Sequence, residues 1–210
     1  MNENASQGSV KRLKKEDGDM DRIFERIGAM KIIPVIKIEN SKDAPELGKA
    51  LVSGGLPCAE ITFRTKAASE SIASLRLRFP EMLLGAGTVL SVENVRDAVD
   101  AGAEFIVAPG FNPKVVDYCL ERGIPVIPGV NSPTQVEMGL DRGLSVLKLF
   151  PAEATGGVRF LKALCSVYSM VKFVPTGGIG RDNVNSYLAL PGVIACGGPE
   201  GKSRRTAPRR

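Results

Sequence analysis

Eight short runs rich in valine, isoleucine and leucine recur about every 20 to 26 residues, and they constrain this chain more than any other feature. They read KIIPVIKI, PCAEITF, MLLGAG, FIVAPG, PVIPGV, VLKLFPA, KFVPTGG and VIACGG. Between them lie segments whose apolar residues repeat at helical spacing, among them DAPELGKALVS, KAASESIASLRLRF, VENVRDAVDA, PKVVDYCLER, PTQVEMGLDR and VRFLKALCSVY. Strand and helix therefore alternate. Gly54 and Gly55, Gly102, Gly123 and Gly143 stand where left-handed caps end a helix before the next strand. Continuous apolar strands joined by helical crossovers imply a parallel sheet covered on both faces. Eight such units in about 170 residues predict an α/β fold of the closed (β/α)8 barrel type, with an open doubly wound sheet as the weaker option. The amphipathic MDRIFERIGAM ahead of the first strand fits an extra helix across the barrel floor.

Composition narrows what such a barrel can do. With 43% hydrophobic and 24% charged residues in 210, one domain with a sizeable core is expected. The expected domain covers residues 20–198, after a polar, disordered extension over 1–19. No apolar run reaches the roughly 20 residues of a membrane helix, and the first residues lack the apolar centre of a signal peptide. No membrane partner and a cytoplasmic location are the expectation. Cys58, Cys119, Cys165 and Cys196 are widely spaced and set in apolar surroundings, as reduced core residues are. Histidine is absent, which excludes Ser-His-Asp and Cys-His nucleophile systems and argues against a catalytic zinc. Acid-base chemistry is left to carboxylates, lysines, tyrosines or water. The net charge of +5 sits mostly in the last residues, where Lys202, Arg204, Arg205, Arg209 and Arg210 face only Glu200. A nearly neutral body with a basic tail does not suggest a nucleic-acid partner.

In a barrel of this kind the active site lies at the carboxyl ends of the strands. The sixth run places Lys148 among apolar neighbours on an element buried on both faces. Desolvation disfavours the charged form of an amine, and a neutral amine can attack a carbonyl. The second run places Glu60 inside an apolar stretch with Arg64 just beyond it. If both strands aim inward, Glu60 and Lys148 are neighbours, either as a proton shuttle beside a nucleophile or as a buried structural ion pair. Lys148 alone also reads as a structural lysine whose head reaches the barrel mouth. Loops GAGTV, PTGGIG and CGG carry small residues where backbone can approach a ligand. Gly177, Gly178, Gly197 and Gly198, after the seventh and eighth strands, are candidate backbone donors to a phosphate, although each pair alone also reads as a turn.

The motifs EITFRT, GAGTV, APG, PGV, KLFPAE and PTGGI, in this order, resemble the 2-keto-3-deoxy-6-phosphogluconate (KDPG) and 4-hydroxy-2-oxoglutarate (KHG) aldolase family from about Ile27 to Gly198. The resemblance implies a class I aldolase with Lys148 as the Schiff-base lysine, Glu60 as the general acid-base, and Arg64 and Thr88 on the substrate carboxylate. It further implies Pro109, Phe150 and Thr176 as pocket residues, a keto acid substrate, a homotrimer, and no metal or organic cofactor. Products would be pyruvate with glyceraldehyde 3-phosphate or with glyoxylate. Beyond Gly198 the resemblance ends. Pro199 stands where the family has a serine that helps bind phosphate, and it offers neither hydroxyl nor N–H. The remaining basic tail, 199–210, lacks the periodicity of an eighth helix, as expected of an incomplete barrel from a truncated or frame-shifted gene. Phosphate recognition should then weaken in favour of the unphosphorylated substrate. An isomerase or epimerase using Glu60 as base, and an inactive remnant, are the rival readings.

Overall fold

The computed structural model describes residues 20–198. The readings of 1–19 as a disordered extension and of 199–210 as a tail without an eighth helix lie outside the described residues.

All eight apolar runs form strands, and two of them are each split in two by a proline. β1 (Ile32–Ile33) and β2 (Val35–Ile36) flank Pro34; β6 (Val126–Ile127) and β7 (Gly129–Val130) flank Pro128. Proline has no N–H for the ladder, so each strand breaks there. Its carbonyl still accepts. The Glu60 N–H donates to Pro34 O at 2.8 Å and the Lys148 N–H to Pro128 O at 2.9 Å, so each interruption adjoins a candidate site residue.

The other strands are β3 (Cys58–Thr62), β4 (Leu83–Gly87), β5 (Phe105–Val107), β8 (Val146–Leu149), β9 (Lys172–Phe173) and β10 (Cys196–Gly197). Parallel pairing runs β2-β3-β4-β5-β6 and β7-β8-β9, while β1 pairs with β10. Bridges Phe173↔Val193 and Thr176↔Gly197 join the seventh run to the eighth, and the ring closes. The expected barrel is the fold that forms.

Helices cover its outside: α2 (Ala44–Ser53), α3 (Ala68–Arg78), α4 (Val92–Asp100), α5 (Pro113–Leu120), α6 (Pro133–Leu140), α7 (Gly157–Val167) and α8 (Val184–Leu188), with α1 over residues 20–30. Side chains of Ser91, Asn112 and Ser132 cap α4, α5 and α6 by accepting from first-turn N–H groups. Of the glycines expected in left-handed caps, Gly55, Gly102, Gly123 and Gly143 have positive φ. Gly54 does not; its φ of −80° is open to any residue, and the left-handed turn is made one position later by Gly55. Periodicity did not reveal α8, whose five residues make little more than one turn.

Two-residue alternation sorts the core. Ala59, Ile61, Leu84, Ala86, Ile106 and Leu147 pack outward against the helices. Ile33, Cys58, Leu83, Phe105, Ile127, Val146, Val174 and Ala195 point inward and meet Ile27 of α1. This layer, one residue from each of the eight apolar runs, is sealed from below by α1 as the sequence suggested. Ile27 is fully buried there.

Candidate active site

The inward alternation that places Cys58 and Val146 in the floor layer brings Glu60 and Lys148 one layer higher, on β3 and β8. Lys148 Nζ lies 3.4 Å from Glu60 Oε1, with side chains only 5% and 3% exposed. The Phe150 ring centroid is 5.3 Å from Nζ, within cation-π range. Among the described residues Glu60 is the one carboxylate in ion-pair reach of Lys148.

Space for this pair comes from small inward neighbours. A side chain at Gly87 would collide with the Glu60 carboxylate, and one at Gly129 with the Pro109 carbonyl. Sequence reading placed Gly87 in the GAGTV loop and Gly129 in the PGV motif without assigning either this role. In the ladder Gly87 pairs with Thr62, two residues beyond Glu60, and Gly129 pairs with Lys148. Beneath the pair the Cys58 thiol is pushed up to about 12 by burial, reinforced by the nearby Glu60 carboxylate. It stays protonated, and the layer under the site remains uncharged.

A cavity of about 260 Å³ opens above the pair. Glu60, Arg64, Thr88, Pro109, Lys148, Phe150, Thr176, Gly177, Gly178 and Gly198 line it, so every expected site residue except Gly197 does; Val35 and Ile179, not foreseen, complete the wall. Arg64 Nε donates to Thr62 Oγ1 at 3.3 Å, which anchors the guanidinium at the rim. Thr88 has φ 56°, a left-handed conformation that a β-branched residue rarely adopts. Strain of this kind persists only where the surroundings hold it, and here it sits on the cavity wall.

The four candidate phosphate glycines divide into two kinds. Gly197 N–H donates to Pro175 O at 2.9 Å and Gly198 N–H to Ile33 O at 2.8 Å. Both close the barrel ladder, which corrects the reading of these two as free donors. Gly197 is also required to be small, because a side chain there would meet Thr176. Gly177 and Gly178, at φ 99° and 79°, keep N–H groups without an acceptor among the described residues, as does Ile179. Among the described residues no three Cys, Asp or Glu side chains converge as metal ligands.

A larger depression of about 390 Å³ lies at the opposite end of the barrel, around Arg22, Arg26, Glu81 and Glu104. Its central charges, Arg26 and Glu104, are paired with each other at 2.8 Å, and no lysine or cysteine lines it. The candidate active site is therefore at the mouth: an amine and a carboxylate in contact, out of water, under a pocket edged by a guanidinium and by N–H groups without an acceptor among the described residues.

Known proteins resemble this chain in sequence and fold. The sequence profile of the family described as KDPG and KHG aldolase matches residues 23–204. A 2-dehydro-3-deoxy-phosphogluconate aldolase of Treponema pallidum is 50% identical over 179 residues, covering 85% of this chain and 85% of the relative. A KHG/KDPG aldolase of Escherichia coli K12 is 40% identical over 167 residues, covering 80% and 78%. Among solved structures, a KDPG aldolase from Legionella pneumophila, with pyruvate captured as a covalent carbinolamine, is 42% identical with a TM-score of 0.79. That similarity covers 81% of this chain and 85% of the other.

Proposed function

The chain belongs to the KDPG and KHG aldolase family, and from that premise we propose that it cleaves 2-keto-3-deoxy-6-phosphogluconate and 4-hydroxy-2-oxoglutarate through a Schiff base on Lys148. The observation that carries this reading is the 3.4 Å contact between two buried groups, Lys148 Nζ and Glu60 Oε1. An isomerase would use Glu60 as a base but has no need of an amine beside it.

In the proposed reaction Nζ passes a proton to Glu60 and forms a bond to the C2 carbonyl carbon of the keto acid. Glu60 returns a proton to the departing hydroxyl, so that water leaves and a protonated imine remains. Directly or through water, the carboxylate then takes the proton of the C4 hydroxyl. The C3–C4 bond breaks, the aldehyde departs, and the electron pair enters the imine to give an enamine. Protonation at C3 and hydrolysis release pyruvate and restore the amine. Arg64 and the strained Thr88 are suited to the substrate carboxylate, a planar anion that guanidinium binds with two donors. Pro109, Phe150 and Thr176 confine the chain of the substrate. The open N–H groups of Gly177 and Gly178 suit a distal phosphate.

Pyruvate with borohydride tests the reading: one reduced pyruvyl group should appear on the peptide containing Lys148. An unmodified chain under conditions that label a known class I aldolase would overturn it. Because Pro199 supplies no donor, kcat/KM should favour 4-hydroxy-2-oxoglutarate over the phosphorylated acid, measured by coupled release of pyruvate. The family resemblance also supports a homotrimer, for which light scattering should return a mass near three chains of 22.3 kDa.

A further inference from the structure

Glu153 closes the KLFPAE motif, yet it does not line the cavity and has no part in the reaction above. It begins the 3-10 turn Glu153–Thr155 after β8. Its N–H donates to Gly177 O at 3.1 Å, and the preceding Ala152 N–H donates to Thr176 O at 2.8 Å. Its side chain occupies the place where a Cβ on Gly178 would sit, 2.7 Å from that point. Its carboxylate Oε1 accepts a short hydrogen bond from Tyr187 Oη of α8. Tyr187 is fully buried. Burial, reinforced by Glu153, holds its hydroxyl above the ordinary phenol range, so it remains a donor.

From the other side Asn183 binds the same loop. Its Nδ2 donates to Gly178 O at 3.1 Å, and its Oδ1 accepts from Gly180 N–H at 2.8 Å. The loop 176–180 is thus fastened by its carbonyls on two sides, while the N–H groups of Gly177, Gly178 and Ile179, residues that line the pocket, meet no acceptor among the described residues. With the N–H groups of Gly197 and Gly198 spent on the ladder and Pro199 having none, this loop carries the phosphate arm of the site among the described residues.

We propose that Glu153 and Tyr187 are positioning residues for phosphorylated substrate, their hydrogen bond fixing the loop whose N–H groups meet the phosphate. This rests on the proposed aldolase reading and deepens it. Neither residue touches substrate. Without the bond the Glu153 side chain is free to leave Gly178, and the loop loses a wall against which its left-handed glycines are held. A phosphorylated substrate should feel this, because it needs the loop; a substrate without phosphate should not.

The test compares kcat/KM for 2-keto-3-deoxy-6-phosphogluconate with that for 4-hydroxy-2-oxoglutarate in wild type, Tyr187→Phe, Glu153→Ala and Glu153→Gln. In the first two variants the ratio of the two values should fall about tenfold, chiefly through KM for the phosphorylated acid, since small misplacements of a binding group are costly. Glu153→Gln keeps an acceptor for Tyr187 and should hold the ratio near wild type. Glu153 is exposed, so Glu153→Ala stays informative if Tyr187→Phe folds poorly. Equal losses on both substrates, or an unchanged ratio in Glu153→Ala, would overturn the proposal. Borohydride labelling of wild type with pyruvate is run alongside. A labelled Lys148 with an unchanged ratio sinks the positioning pair alone, whereas an unlabelled Lys148 sinks the aldolase reading beneath it.

Discussion

Two charged clusters sit at opposite ends of the same barrel, and they are built on opposite plans. At the floor, Arg26 and Arg76 grip Glu104 at 2.8 and 2.6 Å. Arg76 also donates to the carbonyl oxygens of Pro80, Met82 and Gly102. These side chains are 27–31% exposed, and all three guanidinium nitrogens of Arg76 have acceptors. At the mouth, Lys148 and Glu60 are almost wholly buried and share a single 3.4 Å contact. Burial raises the cost of each charge, and a contact as long as 3.4 Å recovers little of it. The floor pair is partly open to water and held by many donors; the mouth pair is dry and, in the proposed reaction, offers an arriving carbonyl an amine able to bond. The pair at the mouth departs from what stability alone would favour, and that departure marks the site.

The contrast can be broken by exchanging what each end loses when cut. Lys148→Met should lower turnover by about 10⁴-fold or more, as removal of a covalent nucleophile does, and should abolish pyruvate labelling. Residual cleavage within tenfold of wild type would show that the mouth pair is structural after all. Glu60→Gln should lower kcat by about 10² to 10⁴-fold while labelling of Lys148 persists, more slowly. Loss of labelling together with turnover would instead make Glu60 a mere anchor for the lysine.

Alkaline pH probes the apolar packing on which the mouth pair rests. Burial raises the Cys58, Cys119 and Cys196 thiols to about 12, whereas in the unfolded chain they ionise near 8.5. A raised value favours the folded state fully below about pH 8.5, and that contribution drains away as pH climbs toward 12. Urea titrations at pH 7, 9 and 10.5 should show a falling unfolding free energy, by several kcal/mol in all at the highest pH. A flat profile would mean that the thiols are less buried than they look. The smallest effect is expected at the floor: Glu104→Gln should lower unfolding free energy by about 1 to 3 kcal/mol and leave kcat/KM within about twofold. A large loss of activity without loss of stability would erase the distinction between the two ends.

Much of this was legible in the chain. The eight runs, their order and the plugging helix follow from local periodicity, which neighbours in sequence record directly. Lys148 and Glu60 stood out because a charge inside an apolar strand needs a reason, and Arg64, Thr88, Pro109, Phe150 and Thr176 entered through the family's motifs. Two positions show where such reading stops. Gly197 and Gly198 have the composition of a phosphate loop, but their N–H groups complete the barrel, and only the pairing of β10 with β1 and with the Pro175–Thr176 segment reveals it. Glu153 looked like the end of a motif until α8, too short to show a period, delivered Tyr187 to it.

What the sequence determined by itself is which residues face inward and in what order the strands come, since a two-residue alternation and a glycine cap are properties of a few neighbouring bonds. What only the tertiary structure decided is which inward residues meet. Lys148 and Glu60 are 88 residues apart, and Tyr187 and Glu153 are 34 apart. Nothing local sets those distances. They follow from closure of the ring, which turns eight separate registers into one geometry and settles which backbone donors are consumed in holding it together.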